Sequence, residues 1–185
     1  MFVDKRHVTI NITFINDFAK IIKTEKMVFM KYYCFISSLI GSLRLVQEDN
    51  CICEISLQKD AVKNAQQKTT PILENAVRQL LEYFSGQRMI FELPIIEQGT
   101  AFQCAVWQGL RKIPYGQTRS YSQLAHDIGK AGACLAVGQA NNRNPLLIVT
   151  PCHRAIGADG GLVGFAAGLE VKRFLLNMEK QYLHW

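Results

Sequence analysis

Residues 144–157 read NPLLIVTPCHRAIG. An uncharged, largely aliphatic run rises to Pro151 and then sets Cys152, His153 and Arg154 side by side. A short apolar run bounded by turn residues is the mark of a buried strand, so LLIVT (146–150) is expected to be a strand that delivers a thiol at its end. A thiol is a weak nucleophile until it loses its proton, and a nearby base or cation raises its thiolate fraction. Neighbouring side chains in extended chain point to opposite sides, so His153 needs a turn or a bridging water to serve Cys152. On these residues alone, an activated nucleophile and an inert buried cysteine stay equally open.

Upstream of this run the segment is helical. TAFQ (100–103) is a Thr-x-x-Gln capping box that opens a helix through Trp107 and Leu110. IPYG (113–116) is a turn, and SYSQ (120–123) is a second capping box whose helix stops at Gly129. A further short helix spans 133–141, with Ala136, Val137 and Ala140 on one face. Two short helices joined by a glycine-bearing turn fit a helix-turn-helix, and they fit a plain α-bundle equally well. Downstream, GADGGLVGF is a glycine-rich hairpin or loop, and 169–180 form a last amphipathic helix.

The first half has another character. VTINITF (8–14), YYCFISSLIGSLRLV and CICEISL read as strands, the last two separated by the turn-rich QEDN. TPILENAVRQLLEYFSG then gives a helix with Thr70 as N-cap, Pro71 in its first turn, apolar residues at 73, 76, 77, 80, 81 and 84, and Gly86 as its stop. LPIIEQG (93–99) has the composition of a linker. The fold class is therefore α+β: a small N-terminal sheet-and-helix domain at 29–95, a mostly helical domain at 96–185 carrying the helix-turn-helix and the PCHR strand, and an extension at 1–28 whose role the residues do not give.

The totals narrow the function. A chain of 185 residues, 49% apolar and 19% charged, can bury a proper core without disulfide staples. Charged residues break up any signal-peptide core near the N-terminus, and no uncharged run is long enough to span a bilayer. A cytoplasmic protein with six reduced cysteines is expected. Cys34, Cys51, Cys53, Cys104 and Cys134 lack metal-site spacing and are assigned to core packing, with no metal. Net charge is +6, and between 107 and 154 six basic residues (Arg111, Lys112, Arg119, Lys130, Arg143, Arg154) face one acid, Asp127. That bias suits either a polyanion or a solvated face.

PCHR, preceded by NP and followed by a glycine-rich loop, resembles the active-site signature of the 6-O-methylguanine-DNA methyltransferases, single-use repair proteins that move an alkyl group from guanine to their own cysteine. The resemblance runs over 100–180 through GTAFQCAVWQGLRKIPYGQTRSYSQLA, AVGQA, NPLLIVTPCHR, GFAAG and KRFLL…E in family order. It extends more loosely to SSLIGSLRLV and the helix from Thr70.

The resemblance implies that Cys152 accepts the methyl group, that His153 draws off its proton through a water, and that Glu179 holds and charges the histidine. Asn144 braces the turn beside the thiol. Tyr121 contacts the rotated phosphate and gives a proton or hydrogen bond as guanine leaves, while backbone groups near Ala155, with Phe165 and Ala166, shape the base pocket. Arg154 ties the site together. The partner implied is double-stranded DNA carrying 6-O-methylguanine, with 4-O-methylthymine as a second lesion, bound by a monomer with no cofactor and no membrane.

DNA contacts implied are Tyr121, Ser122, Lys130, Leu135, Ala136 and Arg143. The second helix would enter the minor groove on its small residues Ala133, Ala136, Gly138 and Ala140. One departure stands out: the family places an arginine directly before AVG, to fill the gap left by the flipped base, and this chain has Leu135. A lesion sensor on the same scaffold would lack the reactive cysteine. A Cys-His hydrolase would leave the basic helical segment unexplained.

Overall fold

The computed structural model describes residues 30–183; the alternating stretch 8–14 lies outside them. Strands β1 (Lys31–Ser38), β2 (Gly41–Glu48), β3 (Cys51–Ser56) and β4 (Gln66–Gln67) form one sheet in the order β3-β2-β1-β4, antiparallel except for the β1–β4 pair. The long apolar stretch YYCFISSLIGSLRLV is thus two strands. Gly41, at φ +111, turns the chain between them in a region that L side chains rarely adopt. Apolar Leu39 and Ile40 occupy that turn and hide it from a reading based on hydrophobicity.

Leu43, Leu45, Ile52 and Ile55 bury one sheet face against helix α1 (Pro71–Phe84). Thr70 caps α1 by accepting the Leu73 N–H at 3.2 Å, and Pro71 stands where no N–H is needed. Of the expected stripe, Leu73, Ala76, Leu80 and Phe84 are buried, whereas Leu81 is 51% exposed. Polar Gln79 is buried in addition, because its amide exchanges two hydrogen bonds with the Glu92 backbone, at 2.9 and 2.8 Å. The stretch 93–99 is no free linker. Ile52 N–H donates to Pro94 O at 2.8 Å and Ile96 N–H to Ile52 O at 3.0 Å, so the connector lies along the outer edge of β3.

Helices α2 (Ala101–Arg111), α3 (Tyr121–Asp127) and α4 (Cys134–Asn142) follow, and both expected capping boxes are formed, at Thr100/Gln103 and Ser120/Gln123. Gly109 lets α2 approach α3 closely, since a Cβ there would lie 2.9 Å from Leu124 and Ile128 side-chain carbons. Trp107 donates its indole N–H to Ala140 O at 2.9 Å, locking α4 onto α2. Ala140 is buried in the core, whereas Ala136 is exposed. Short strands β5 (Arg119–Ser120) and β6 (Ala155–Ile156) pair in parallel, and α5 (Leu169–Tyr182) closes the fold. One hydrophobic cluster, from Leu43 through Trp107 to Leu175, runs through both halves.

LLIVT is buried as expected, but it is not a strand. Leu147 N–H bonds to Ile55 O at 2.9 Å, and the chain then coils so that Thr150 N–H reaches Leu146 O at 2.9 Å. PCHR is likewise a single 3-10 turn, Cys152–Arg154. Burial, which the aliphatic run does encode, is shared by strands and packed turns, and here Asn144 and Pro145 decide for the turn.

Candidate active site

Asn144 builds the turn from its first residue. Its Oδ1 accepts the Leu146 N–H at 3.0 Å, and its Nδ2 lies 2.7 Å from Thr150 O and 3.0 Å from Cys152 Sγ. One amide thus closes both ends of the loop and touches the thiol it presents. Ile148 takes φ +74 inside the loop, an outlier for a β-branched residue that persists only where surroundings impose it.

Successive side chains of a 3-10 turn are separated by about 120°, against nearly 180° in a strand. The turn at Cys152–Arg154 therefore lets three neighbours serve one site. Cys152 and His153 are buried, and His153 Nε2 lies 2.8 Å from Glu179 Oε1 on α5. Arg154 grips the same carboxylate through Nε at 2.9 Å and Nη2 at 2.9 Å, donates Nη1 to Ile113 O at 2.7 Å and stacks its guanidinium over Tyr115. Tyr83 OH and the Gly116 N–H, at 2.8 and 2.9 Å, complete the set of donors around Glu179.

These partners set the protonation states. Burial pushes the Cys152 thiol up to about 11, against the hydrogen bond from Asn144, nearby backbone N–H groups and the charge of Lys172. Burial also lowers His153, outweighing the Glu179 carboxylate that raises it. Glu179 thus holds the histidine and favours its charged form, while burial works against that form. The His153 Nε2–H is committed to Glu179, and Nδ1 has no hydrogen-bond partner among the described groups, which leaves a basic lone pair. For Glu179, burial works upward, but the hydrogen bonds and charges of His153 and Arg154 hold its carboxyl well below the usual range.

Tyr121 lies on the other wall, at the start of α3. Its OH donates to Val163 O at 3.1 Å and accepts from Lys172 Nζ at 3.4 Å. Lys172 is the residue that the sequence reading missed: fully buried, bonded to Val163 O at 3.0 Å, set over the Tyr121 and Phe165 rings, with burial lowering its pKa to about 8 against the Cys152 charge that raises it. A signal existed. Lys172, Leu175, Leu176 and Glu179 follow the i, i+3, i+4, i+7 spacing of a buried face, and two charged residues on such a face need a reason.

The remaining assigned residues divide by location. Ala155 is buried in β6; Ala166 is exposed and lines a cleft with Asn144 and Leu147. Ser122 and Leu135 border a pocket of about 300 Å³ with Tyr121, Cys134, Gly138 and Val163. Leu135 is 85% exposed, and Ala136, Lys130 and Arg143 are exposed near it in sequence. The basic segment is less free than its composition suggests: Arg154 is bound to Glu179, Arg111 to Glu97, and Arg119 sits 3.7 Å from Asp127. Lys112, Lys130 and Arg143 remain at the surface. Of the five cysteines assigned to the core, only Cys34 is buried; Cys51, Cys53, Cys104 and Cys134 are half-buried. Among the described residues no group of three or more His, Cys, Asp or Glu could hold a metal ion, and no helix is long and apolar enough to cross a membrane.

Comparison with known proteins places this geometry. Residues 101–181 match the model of the 6-O-methylguanine DNA methyltransferase DNA binding domain, and residues 31–96 that of the ribonuclease-like domain of the same methyltransferases. The constitutive methylated-DNA–protein-cysteine methyltransferase of Bacillus subtilis is 44% identical over 159 residues, covering 82% of this chain and 96% of the relative. A Methanosarcina barkeri methylated-DNA–protein-cysteine methyltransferase is also 44% identical, over 161 residues, 82% and 99% of the two chains. The crystal structure of Mycobacterium tuberculosis OGT in complex with DNA superposes with a TM-score of 0.77 at 40% identity, covering 82% of this chain and 94% of that one.

Proposed function

Because the chain belongs to the 6-O-methylguanine DNA methyltransferase family, we propose that it repairs DNA by moving the methyl group of 6-O-methylguanine irreversibly onto its own Cys152. The observation that carries this reading is the linked set in which Asn144 contacts the thiol at 3.0 Å and Glu179 holds the neighbouring His153 at 2.8 Å. Once the lesion has swung out of the helix into the pocket, the Cys152 proton passes through a bridging water to Nδ1 of His153 as sulfur attacks the methyl carbon. The S–C bond forms, the O–C bond breaks, and the electron pair leaves with guanine O6. Tyr121 OH, with Lys172 behind it, supplies a hydrogen bond or proton to the departing base. The thioether is not reversed, so each molecule acts once, as a monomer on duplex DNA.

Lys172 gives this scheme a pH signature. Its cation favours the thiolate and is lost as pH rises through about 8, whereas the thiol titrates near 11. Lys172→Met is therefore expected to slow transfer by on the order of 10-fold at pH 7, and the two rates should converge above pH 8. A deficit constant across that range would mean that the charge is not used.

The exposed Leu135 would occupy the space left by the flipped base, without the charged hydrogen bonds an arginine could make to the orphaned partner. Leu135→Arg should speed repair of duplex DNA by a few-fold and leave reaction with the free base unchanged. Equal effects on both would exclude a role in flipping.

The function itself is tested by incubating the protein with a methylated duplex and counting lesions removed. One lesion per protein molecule, with no turnover and with binding that weakens as salt rises, is expected. Continued turnover would point to a hydrolase. The same assay with 4-O-methylthymine fixes the lesion range.

A further inference from the structure

Thr150, two residues before the thiol, is held from outside its own loop. It is fully buried, and its Oγ1 donates to Glu97 Oε1 at 2.9 Å and accepts from Arg111 Nη1 at 3.1 Å, while Arg111 and Glu97 also form an ion pair. The carbonyl of the same residue accepts the Cys152 N–H at 2.8 Å and the Asn144 Nδ2 at 2.7 Å. One side of Thr150 thus faces the connector and α2, and its other side faces the nucleophile and the amide that touches it. Both outer anchors are fixed in turn. Glu97 follows Ile96, which is bonded to β3, and Arg111 is the last residue of α2. The loop needs such anchoring, because the positive φ at Ile148 makes its coiled form costly on its own.

We propose that Glu97 and Arg111 are positioning residues for the methyl transfer, acting through the Thr150 hydroxyl to hold the Cys152 turn at its reactive placement. The connector along β3 thereby becomes part of the reaction machinery, and the N-terminal sheet contributes to the chemistry without touching substrate. This rests on Cys152 being the methyl acceptor.

Thr150→Val removes the hydroxyl at nearly constant volume, and Thr150→Ser keeps it. Single-turnover rates on a methylated duplex separate the limiting rate from the half-saturating DNA concentration. Thr150→Val is expected to lose about 10-fold in limiting rate with half-saturation unchanged, and Thr150→Ser to stay within about twofold of the parent. Alkylation of Cys152 by iodoacetamide, followed by peptide mass spectrometry across pH, should shift to a higher midpoint in Thr150→Val as the Asn144 contact loosens. Glu97→Gln, a milder change, should show the same pattern and serves if Thr150→Val does not fold. An unchanged limiting rate in either variant overturns the proposal, as does a serine variant as slow as the valine one. If the parent protein itself leaves the lesion intact, the acceptor reading has failed, and the iodoacetamide midpoint still decides the positioning claim.

Discussion

Replacing Cys152 with serine should abolish removal of the methyl group from DNA while leaving affinity for the methylated duplex within about twofold, since affinity comes chiefly from phosphate contacts elsewhere. The swap changes one atom in a buried site, and the Asn144 amide can still bond to an oxygen there. The chemistry does not survive, because an alkyl carbon on a neutral oxygen suits a soft, readily ionised sulfur and a serine hydroxyl is far less acidic. Burial lowers the basicity of His153, which cannot take a proton from so weak an acid. Gel-shift binding and lesion counting on one preparation separate the two properties. Lesion loss at the parental rate would remove Cys152 from the mechanism.

Glu179→Ala should be the most damaging substitution to the fold. The carboxylate is fully buried and accepts from His153, Arg154, Tyr83 and Gly116. Deleting it strands the Arg154 charge with only Ile113 O and the Tyr115 ring for partners. Breaking a buried pair from one side costs roughly 3–5 kcal/mol, which for a chain of this size lowers Tm by on the order of 10 °C. Glu179→Gln, closer in shape, exposes the charge dependence. The native carboxyl is held below its unfolded value, so its contribution is complete above the ordinary carboxylate range near 4.5 and is lost as pH falls through the native value. The stability gap between parent and glutamine variant should be full at neutral pH and narrow below about pH 4.5. A gap that widens on acidification would mean that the carboxylate is not the stabilising species.

What the sequence conveyed depended on how local each signal was. The caps at Thr70, Thr100 and Ser120 were legible because a side chain bonds to backbone three residues away, and the helices begin at those places. The acceptor thiol and its neighbours were legible through the PCHR motif. The conformation of LLIVT was not, because aliphatic burial looks the same in a strand and in a coiled loop, and the deciding contacts run from Asn144 to Thr150 and from Leu147 to Ile55. Distance in sequence hid the rest. Tyr83 meets Glu179 across 96 positions and Glu97 meets Thr150 across 53, and nothing near either residue announces its partner. Lys172 lay in plain view within KRFLL, as a charge on a buried helical face.

The most direct measurement is peptide mass spectrometry of the protein after reaction with an equimolar methylated duplex. The expected result is one added methyl on the peptide carrying Cys152, close to one per molecule, with the other five cysteines unmarked and the guanine restored. A methyl on a different cysteine, or an intact lesion with protein still bound to it, would contradict transfer to Cys152.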